Sequence, residues 1–384
     1  MNHDALITDR LRAIDASGIR RVFDLAAKLD KPLNLSIGQP DFDVPDAIKD
    51  AAVEAIRSGK NSYTPTQGIA ALQQQVLQQM QDEFPDTLGA GGAGGAGGAG
   101  ALITSGVSGG LMLALLTCAG PGDEVLIPDP YFVMYKHLVT LSGATPVYVD
   151  TYPDFQLTAE RVEPLLTPRT KVLMFNSPSN PTGVVAPPAV CAELAELCRQ
   201  RNVLLLSDEI YDVFNYTGGP LPSPAATSSD VLLLRGFSKT YAMTGWRLGY
   251  AVGPKTVVEQ MTKLQQYSFV CAPSMVQVAG VSALSVDMSD YVTAYQRKRD
   301  RVIEKLSPYF ELTTPQGAFY AFVKVPERLN QTGSQFVERA IARNVLIIPG
   351  GVFSQRDTHF RISYACDNAM LDAGLDVLVD LAKS

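Results

Sequence analysis

Seven short apolar runs divide the first two thirds of the chain: "ALIT" (101–104), "EVLIP" (124–128), "TPVYV" (145–149), "KVLMF" (171–175), "VLLLS" (203–207), "VLLLR" (231–235) and "LGYAV" (248–252). They are continuous rather than alternating, which is the pattern of strands buried on both faces. Helical stretches lie between several of them, such as "PPAVCAELAELCRQRN" (187–202). Strand–helix alternation predicts an α/β sheet, mostly parallel. From about residue 275 the pattern changes. A long polar helix, "DYVTAYQRKRDRVIEKL", leads to "FELTT", "GAFYAFVKV", "NVLIIPG" and "HFRISYA", a smaller α+β unit. The first forty residues show no sheet strand of their own and are expected to pack on that unit. The expected organisation is an N-terminal segment over 1–44, a large domain over 45–274 and a small domain over 275–384.

A chain of 384 residues suits two domains of unequal size. Its hydrophobic content of 46 % and charged content of 18 % are those of a globular chain. A net charge of −7 argues against nucleic acid or an anionic membrane as the main partner. The N-terminus is charged throughout, unlike a signal peptide, and the longest apolar run is far short of a membrane span. Five cysteines without a C-x-x-C pair read as reduced thiols of a cytoplasmic protein. Three histidines far apart, His3, His137 and His359, give little support to a metal site or a Ser-His-Asp triad, so no metal is expected. The stretch "GAGGAGGAGGAGA" (89–101) cannot build a packed face. It reads as an inert linker, a flexible loop near the substrate, or residues that are not native to the chain.

In open α/β sheets ligands bind beyond the carboxyl ends of the strands. There the chain places "SGVSGG" after "ALIT", "NSPSNPTG" after "KVLMF", "DEIYDVF" after "VLLLS" and "GFSKTYAMTGWR" after "VLLLR". Small-residue turns, an amide, an acid, a phenol, a lysine and an arginine thus meet one edge. A lysine pressed among apolar neighbours loses pKa and becomes a nucleophile that forms Schiff bases with aldehydes. Lys239 has no acid near it in sequence. Arg247 suits a phosphate, and so does the nest of amides in "SGVSGG" at the start of a helix. A Schiff-base lysine beside a phosphate site suggests pyridoxal phosphate.

The chain resembles the class I aminotransferases of fold type I, and within them the bacterial and archaeal aspartate and aromatic aminotransferases. The resemblance runs through "LSIGQPDFDVP" (35–45), "YTPTQG" (63–68), "SPSNPTG" (177–183), "SDEIY" (207–211), "FSKTYAMTGWRLGY" (237–250), "GAFY" (317–320) and "FRISYA" (360–365). It implies a seven-stranded, mostly parallel large domain, and Lys239 as the residue that binds the cofactor aldehyde and shuttles the proton. Asp208 resembles the partner of the pyridinium nitrogen, and Asn180 and Tyr211 the pair on the ring hydroxyl. Arg247, Ser238 and the Val107–Ser108 turn resemble phosphate contacts. Tyr63 resembles a phosphate contact from a second subunit, which implies a homodimer with shared sites. Phe132 resembles the aromatic ring stacked on the cofactor. Arg361 resembles the clamp on the substrate α-carboxylate, with Gly38 a backbone contact to it and Asn180 beside it.

Each residue alone has a plainer reading. Asp208 is also a helix N-cap, Arg361 a surface ion pair, Asn180 part of an ordinary turn, Phe132 a core ring and Tyr63 a loop residue. Their joint order and spacing favour the site. Two positions depart from the family pattern. Gly236 stands where many relatives carry a phosphate-binding serine. Ser108 stands where some bacterial aspartate enzymes carry a lysine for the side-chain carboxylate, which makes an aromatic or broad specificity plausible. Ser108, the "SGIRR" segment (17–21) and the partner's loops are expected to discriminate side chains, Arg20 or Arg21 being the alternative cation. The implied activity is transfer of an amino group from an L-amino acid to a 2-oxo acid, with 2-oxoglutarate the expected acceptor. A C–S β-lyase using the same residues is the rival enzyme. A ligand-sensing domain of a transcription regulator is the rival from another class; it needs a DNA-binding domain, for which the match leaves no room.

Overall fold

The computed structural model describes residues 1–15, 18, 29–89 and 98–384. Its first strand, β1 (Leu33–Asn34), precedes a central sheet of seven. These are β2 (Ala99–Thr104), β3 (Glu124–Asp129), β4 (Thr145–Asp150), β5 (Thr170–Asn176), β6 (Leu204–Asp208), β7 (Leu232–Gly236) and β8 (Gly249–Pro254), in the order β2-β8-β7-β6-β5-β3-β4. The strands from β3 to β7 pair in parallel. Only β8 runs against its neighbours, antiparallel to both β2 and β7. All seven apolar runs are therefore strands of one sheet, as the sequence pattern predicts.

Burial on both faces explains the unbroken runs. Val172, Met174, Leu206, Leu232 and Leu234 enter a core shared with helix Gly106–Cys118. Their neighbours Leu173, Phe175 and Leu205 enter a second core under helix Pro188–Arg201. Ile103, Leu233 and Val252 face a third, closed by helices Asp46–Arg57 and Ala70–Glu83. Helix Ser274–Ala283 packs on those same two helices. Alternate residues thus feed different cores, and the middles of these strands are apolar on both faces.

The second unit contains β9 (Tyr320–Lys324), β10 (Val345–Leu346), β11 (Ile348–Pro349) and β12 (His359–Ser363), with β11, β12 and β9 in one antiparallel sheet. Helices Ser289–Leu306, Gly333–Ala342 and Asn368–Lys383 cover it. One expectation needs correction. The first forty residues do contain a strand: β1 pairs in parallel with β10, Leu33 opposite Val345. Two residues are too few to leave a pattern, and the pairing is created by a partner far along the chain. Of the glycine–alanine stretch, residues 90–97 lie outside the described residues. Its last three residues begin β2 because their backbone pairs with β8, and Gly100 packs directly on Val258.

Candidate active site

The carboxyl ends of β2, β5, β6 and β7 open on one cavity of about 340 Å³, which Arg361 of the second unit also lines. β6 ends at Asp208, which is 3 % exposed. Its Oδ2 accepts the Tyr135 hydroxyl at 2.7 Å and its Oδ1 the Ile210 amide at 3.2 Å. Burial pushes its pKa up to about 6, opposed by those two hydrogen bonds and by the charge of Lys239. At neutral pH the group is therefore an ionised carboxylate in a dry place, where it binds a positive partner strongly.

β7 passes into the turn Phe237–Thr240, which carries Lys239 into the cavity. Lys239 Nζ donates to the carbonyl of Gly38 at 2.6 Å. Burial lowers its pKa to about 8, helped by the charges of Arg361 and Arg247 and resisted by Asp208. The acid missing from its sequence neighbourhood comes from the adjoining strand.

Arg361 lies on β12 and is 1 % exposed. Its Nη1 donates to Asn180 Oδ1 and its Nη2 to the carbonyl of Ser36, both at 2.9 Å. The guanidinium sits between the rings of Tyr320 and Phe353, 4.4 and 4.6 Å from their centres. Its buried Nε has no partner among the described residues. Asn180 also reaches the Tyr211 hydroxyl, at 3.5 Å, and that hydroxyl pairs with Tyr320 at 3.0 Å. Burial holds the Tyr211 phenol far above its ordinary pKa, so it keeps its proton.

At the end of β2 the chain turns through Ser105 into helix Gly106–Cys118. Gly106 has φ +68°, and a Cβ there would lie 2.7 Å from Arg247 Nη2. Only glycine lets the guanidinium rest on the turn. Arg247 donates to the carbonyl of Thr244 at 2.7 Å, and the first-turn amides of the helix lack intrahelical partners by construction. Arginine fork and helix start together form a site for a phosphate-like anion. Gly236 has a steric reason: a Cβ there would lie 3.1 Å from Val107 Cγ2 and 3.2 Å from the Gly249 Cα, so a serine would crowd the turn.

The cavity brings together Gly38, Val107, Ser108, Phe132, Asn180, Asp208, Tyr211, Ser238, Lys239, Arg247 and Arg361. Tyr63 is not among its lining residues; it is 85 % exposed on this chain. Arg20 and Arg21 lie outside the described residues. Sequence reasoning missed Tyr135 and Tyr320. Tyr135 had a faint signal, three residues after Phe132 and so on the same side of a helical turn. Tyr320 closes the "GAFY" motif, but its place over Arg361 depends on the antiparallel pairing of β9 with β12.

Residues 30–378 match the family of aminotransferases of class I and II. The chain belongs to that family. It is 34 % identical to a probable aspartate aminotransferase of Methanocaldococcus jannaschii, over 98 % of this chain and 100 % of the relative. It is also 34 % identical to aromatic-amino-acid aminotransferase 2 of Thermococcus litoralis, over 98 % of each chain. Among solved structures, the aspartate aminotransferase of Thermotoga maritima superposes with a TM-score of 0.90 at 30 % identity, over 98 % of this chain and 100 % of the other. The fold is that of the fold type I transaminases, and this aminotransferase moves an amino group from an amino acid to a 2-oxo acid. Among the described residues no helix is long and apolar enough to cross a membrane.

Proposed function

We propose that this aminotransferase takes its amino group from an aromatic amino acid or aspartate, passes it to 2-oxoglutarate, and works through pyridoxal phosphate bound at Lys239. One juxtaposition carries the reading: a lysine whose amine is held near pKa 8 shares a cavity with a buried carboxylate and a buried arginine. The donor set fits that cofactor. Asp208 offers an anion to a protonated ring nitrogen, and Asn180 and Tyr211 offer an amide and a phenol to a ring hydroxyl. Ser238, Arg247 and the Val107–Ser108 turn offer donors to a phosphate, and Phe132 offers a ring face. The unpartnered Nε of Arg361 leaves donor capacity for a substrate carboxylate.

When bound, the cofactor supplies the electron sink that lets the Cα–H bond of the amino acid ionise. The chain's own residues do the rest. Arg361 holds the α-carboxylate with parallel donors, assisted by Asn180 and the Gly38 backbone, and so fixes which Cα bond is presented. Lys239, with its amine free, would take the Cα proton and hold it at Nζ for return; a pKa of about 8 suits both directions near neutral pH. Asp208 keeps the ring nitrogen protonated. Tyr63 serves the phosphate site of a second copy, making the working unit a homodimer with shared sites, in the cytoplasm. The large domain holds the cofactor, and the small domain brings the carboxylate clamp.

Among the described residues the lining contains three cations, Lys239, Arg247 and Arg361, and each has a role already. Ser108 adds no fourth, which favours aromatic donors over aspartate. Borohydride treatment of the holoenzyme followed by peptide mapping should leave the cofactor's label on Lys239. A label on Lys255 or Lys263 overturns the assignment. Single-turnover absorbance against a panel of amino acids should then rank phenylalanine above aspartate.

A further inference from the structure

Behind the cavity, on the other side of the same strand ends, lies an ionic cluster with no part in the steps above. Arg235 on β7 is 4 % exposed. Its Nε and Nη2 donate to Oε2 of Glu209 at 3.0 and 2.8 Å. Its Nη1 and Nη2 donate to the two oxygens of Glu83, the last residue of helix Ala70–Glu83, at 2.6 and 2.8 Å. Asp212 Oδ2 lies 3.8 Å from Nε. The other oxygen of Glu209 accepts the hydroxyls of Ser207 and Ser223 at 2.9 and 2.6 Å. Asp212 Oδ1 accepts the Thr240 hydroxyl at 3.3 Å. The phenols of Tyr241 and Tyr250 and the thiol of Cys191 belong to the same titratable surroundings.

Three of these groups sit one residue along the chain from a residue of the site. Glu209 follows Asp208, Asp212 follows Tyr211, and Thr240 follows Lys239. Asp208 faces the cavity while Glu209 turns to Arg235. A guanidinium is a rigid planar fork with several donors, so one side chain grips both acids and the helix end at fixed angles. It also faces three carboxylates with a single positive charge, and its loss would leave those carboxylates uncompensated close to the site.

We propose that Arg235 is a positioning residue for the transfer reaction: from behind the sheet it holds the Asp208–Tyr211 segment against the Lys239 turn and so sets the carboxylate and the amine relative to each other. This rests on the roles given to Asp208 and Lys239 above.

The test uses holoenzyme of wild type, Arg235→Met and Glu83→Gln, with circular dichroism to select folded protein. Two readouts are taken: kcat and KM for a good donor, and the pH midpoint of the absorbance change of the Lys239-bound cofactor. Arg235→Met should lower kcat by about 10- to 100-fold, because small misplacements of reacting groups are that costly. KM should stay within about twofold, since the carboxylate clamp is untouched. Its midpoint should rise by about 0.5 unit, because losing a cation favours the protonated form. Glu83→Gln, which removes a negative charge instead, should move the midpoint the other way. Opposite shifts report only that these charges are felt at the site; the fall in kcat at constant KM is the readout of positioning. If both folded variants keep the wild-type midpoint and kcat, the proposal is overturned. Should Arg235→Met not fold, Arg235→Lys, which keeps the charge but loses the planar fork, decides: a fall in kcat at unchanged KM supports the proposal and wild-type kcat overturns it. The two levels are separable. A borohydride label away from Lys239 refutes the functional reading, whereas a label on Lys239 with wild-type behaviour in both variants refutes only the role of Arg235.

Discussion

Replacing Asp208 by asparagine should make the cofactor-free protein more stable while crippling the enzyme. The carboxyl is 3 % exposed, and burial raises its pKa from 3.8 to about 6. A raised carboxylate pKa means that the native state binds the proton more tightly than the unfolded chain between those values. Stability from this group is then greatest below pH 3.8, falls as pH rises to 6, and is level above that. The rise from 3.8 to about 6 corresponds to about 3 kcal/mol lost at neutral pH. Asparagine removes the charge but exchanges the carboxylate's bonds from Tyr135 and Ile210 for neutral ones, which returns about 1 kcal/mol of the gain. Urea unfolding of the cofactor-free proteins should therefore show Asp208→Asn more stable by about 2 kcal/mol at pH 7–8. The difference should shrink as the pH falls through 6 and vanish or reverse near pH 4. With cofactor bound, the same variant should lose turnover by at least about 10²-fold, the range of a lost acid–base or charge-stabilising group. A variant less stable than wild type at pH 8, or a difference that ignores pH, refutes the reasoning.

Lys239→Ala should lose turnover beyond the roughly 10²–10⁴-fold range of a simple acid–base group, because attachment of the cofactor is lost together with proton transfer; steady-state rates with added alkylamine check this. Arg361→Ala should weaken all amino donors alike, by about 1.5–3 kcal/mol for each charged hydrogen bond lost, read as parallel falls in kcat/KM for aspartate and phenylalanine. Ser108→Lys should raise the aspartate to phenylalanine ratio of kcat/KM by about tenfold, roughly 1.4 kcal/mol; a wild type that already prefers aspartate strongly, or a ratio that does not move, refutes the reading of Ser108.

The large sheet was readable in the chain because its central strands are buried on both sides, so their middles read as unbroken apolar runs. The site was readable for a related reason. Ligand-binding groups gather where strands end, and Asp208, Lys239 and the turn before Val107 each stand just past an apolar run. What stayed hidden was set by distant partners. The two residues of β1 become a strand only against Val345 and Leu346. The Tyr135–Asp208 bond joins positions 73 residues apart, and the Tyr320 ring over Arg361 depends on sheet register. Arg235 read as the end of an apolar run, and its carboxylates lie on two other segments. Local composition carries periodicity well and long-range pairing hardly at all.

The β1–β10 pairing has a consequence for the order in which the protein is made. The carbonyls of Ser36 and Gly38, which touch Arg361 and Lys239, lie just beyond a strand whose sheet partner among the described residues begins at Val345. A nascent chain therefore carries this segment without its strand partner for some three hundred residues of synthesis. Lys239 leaves the ribosome more than a hundred residues before β10 and β12, the strands that seat this segment and present the guanidinium. Until they emerge, the growing polypeptide has an amine, an acid and a phosphate turn but nothing to orient an amino acid against them. The arrangement is complete only once β12, some three hundred residues after Gly38, has been made.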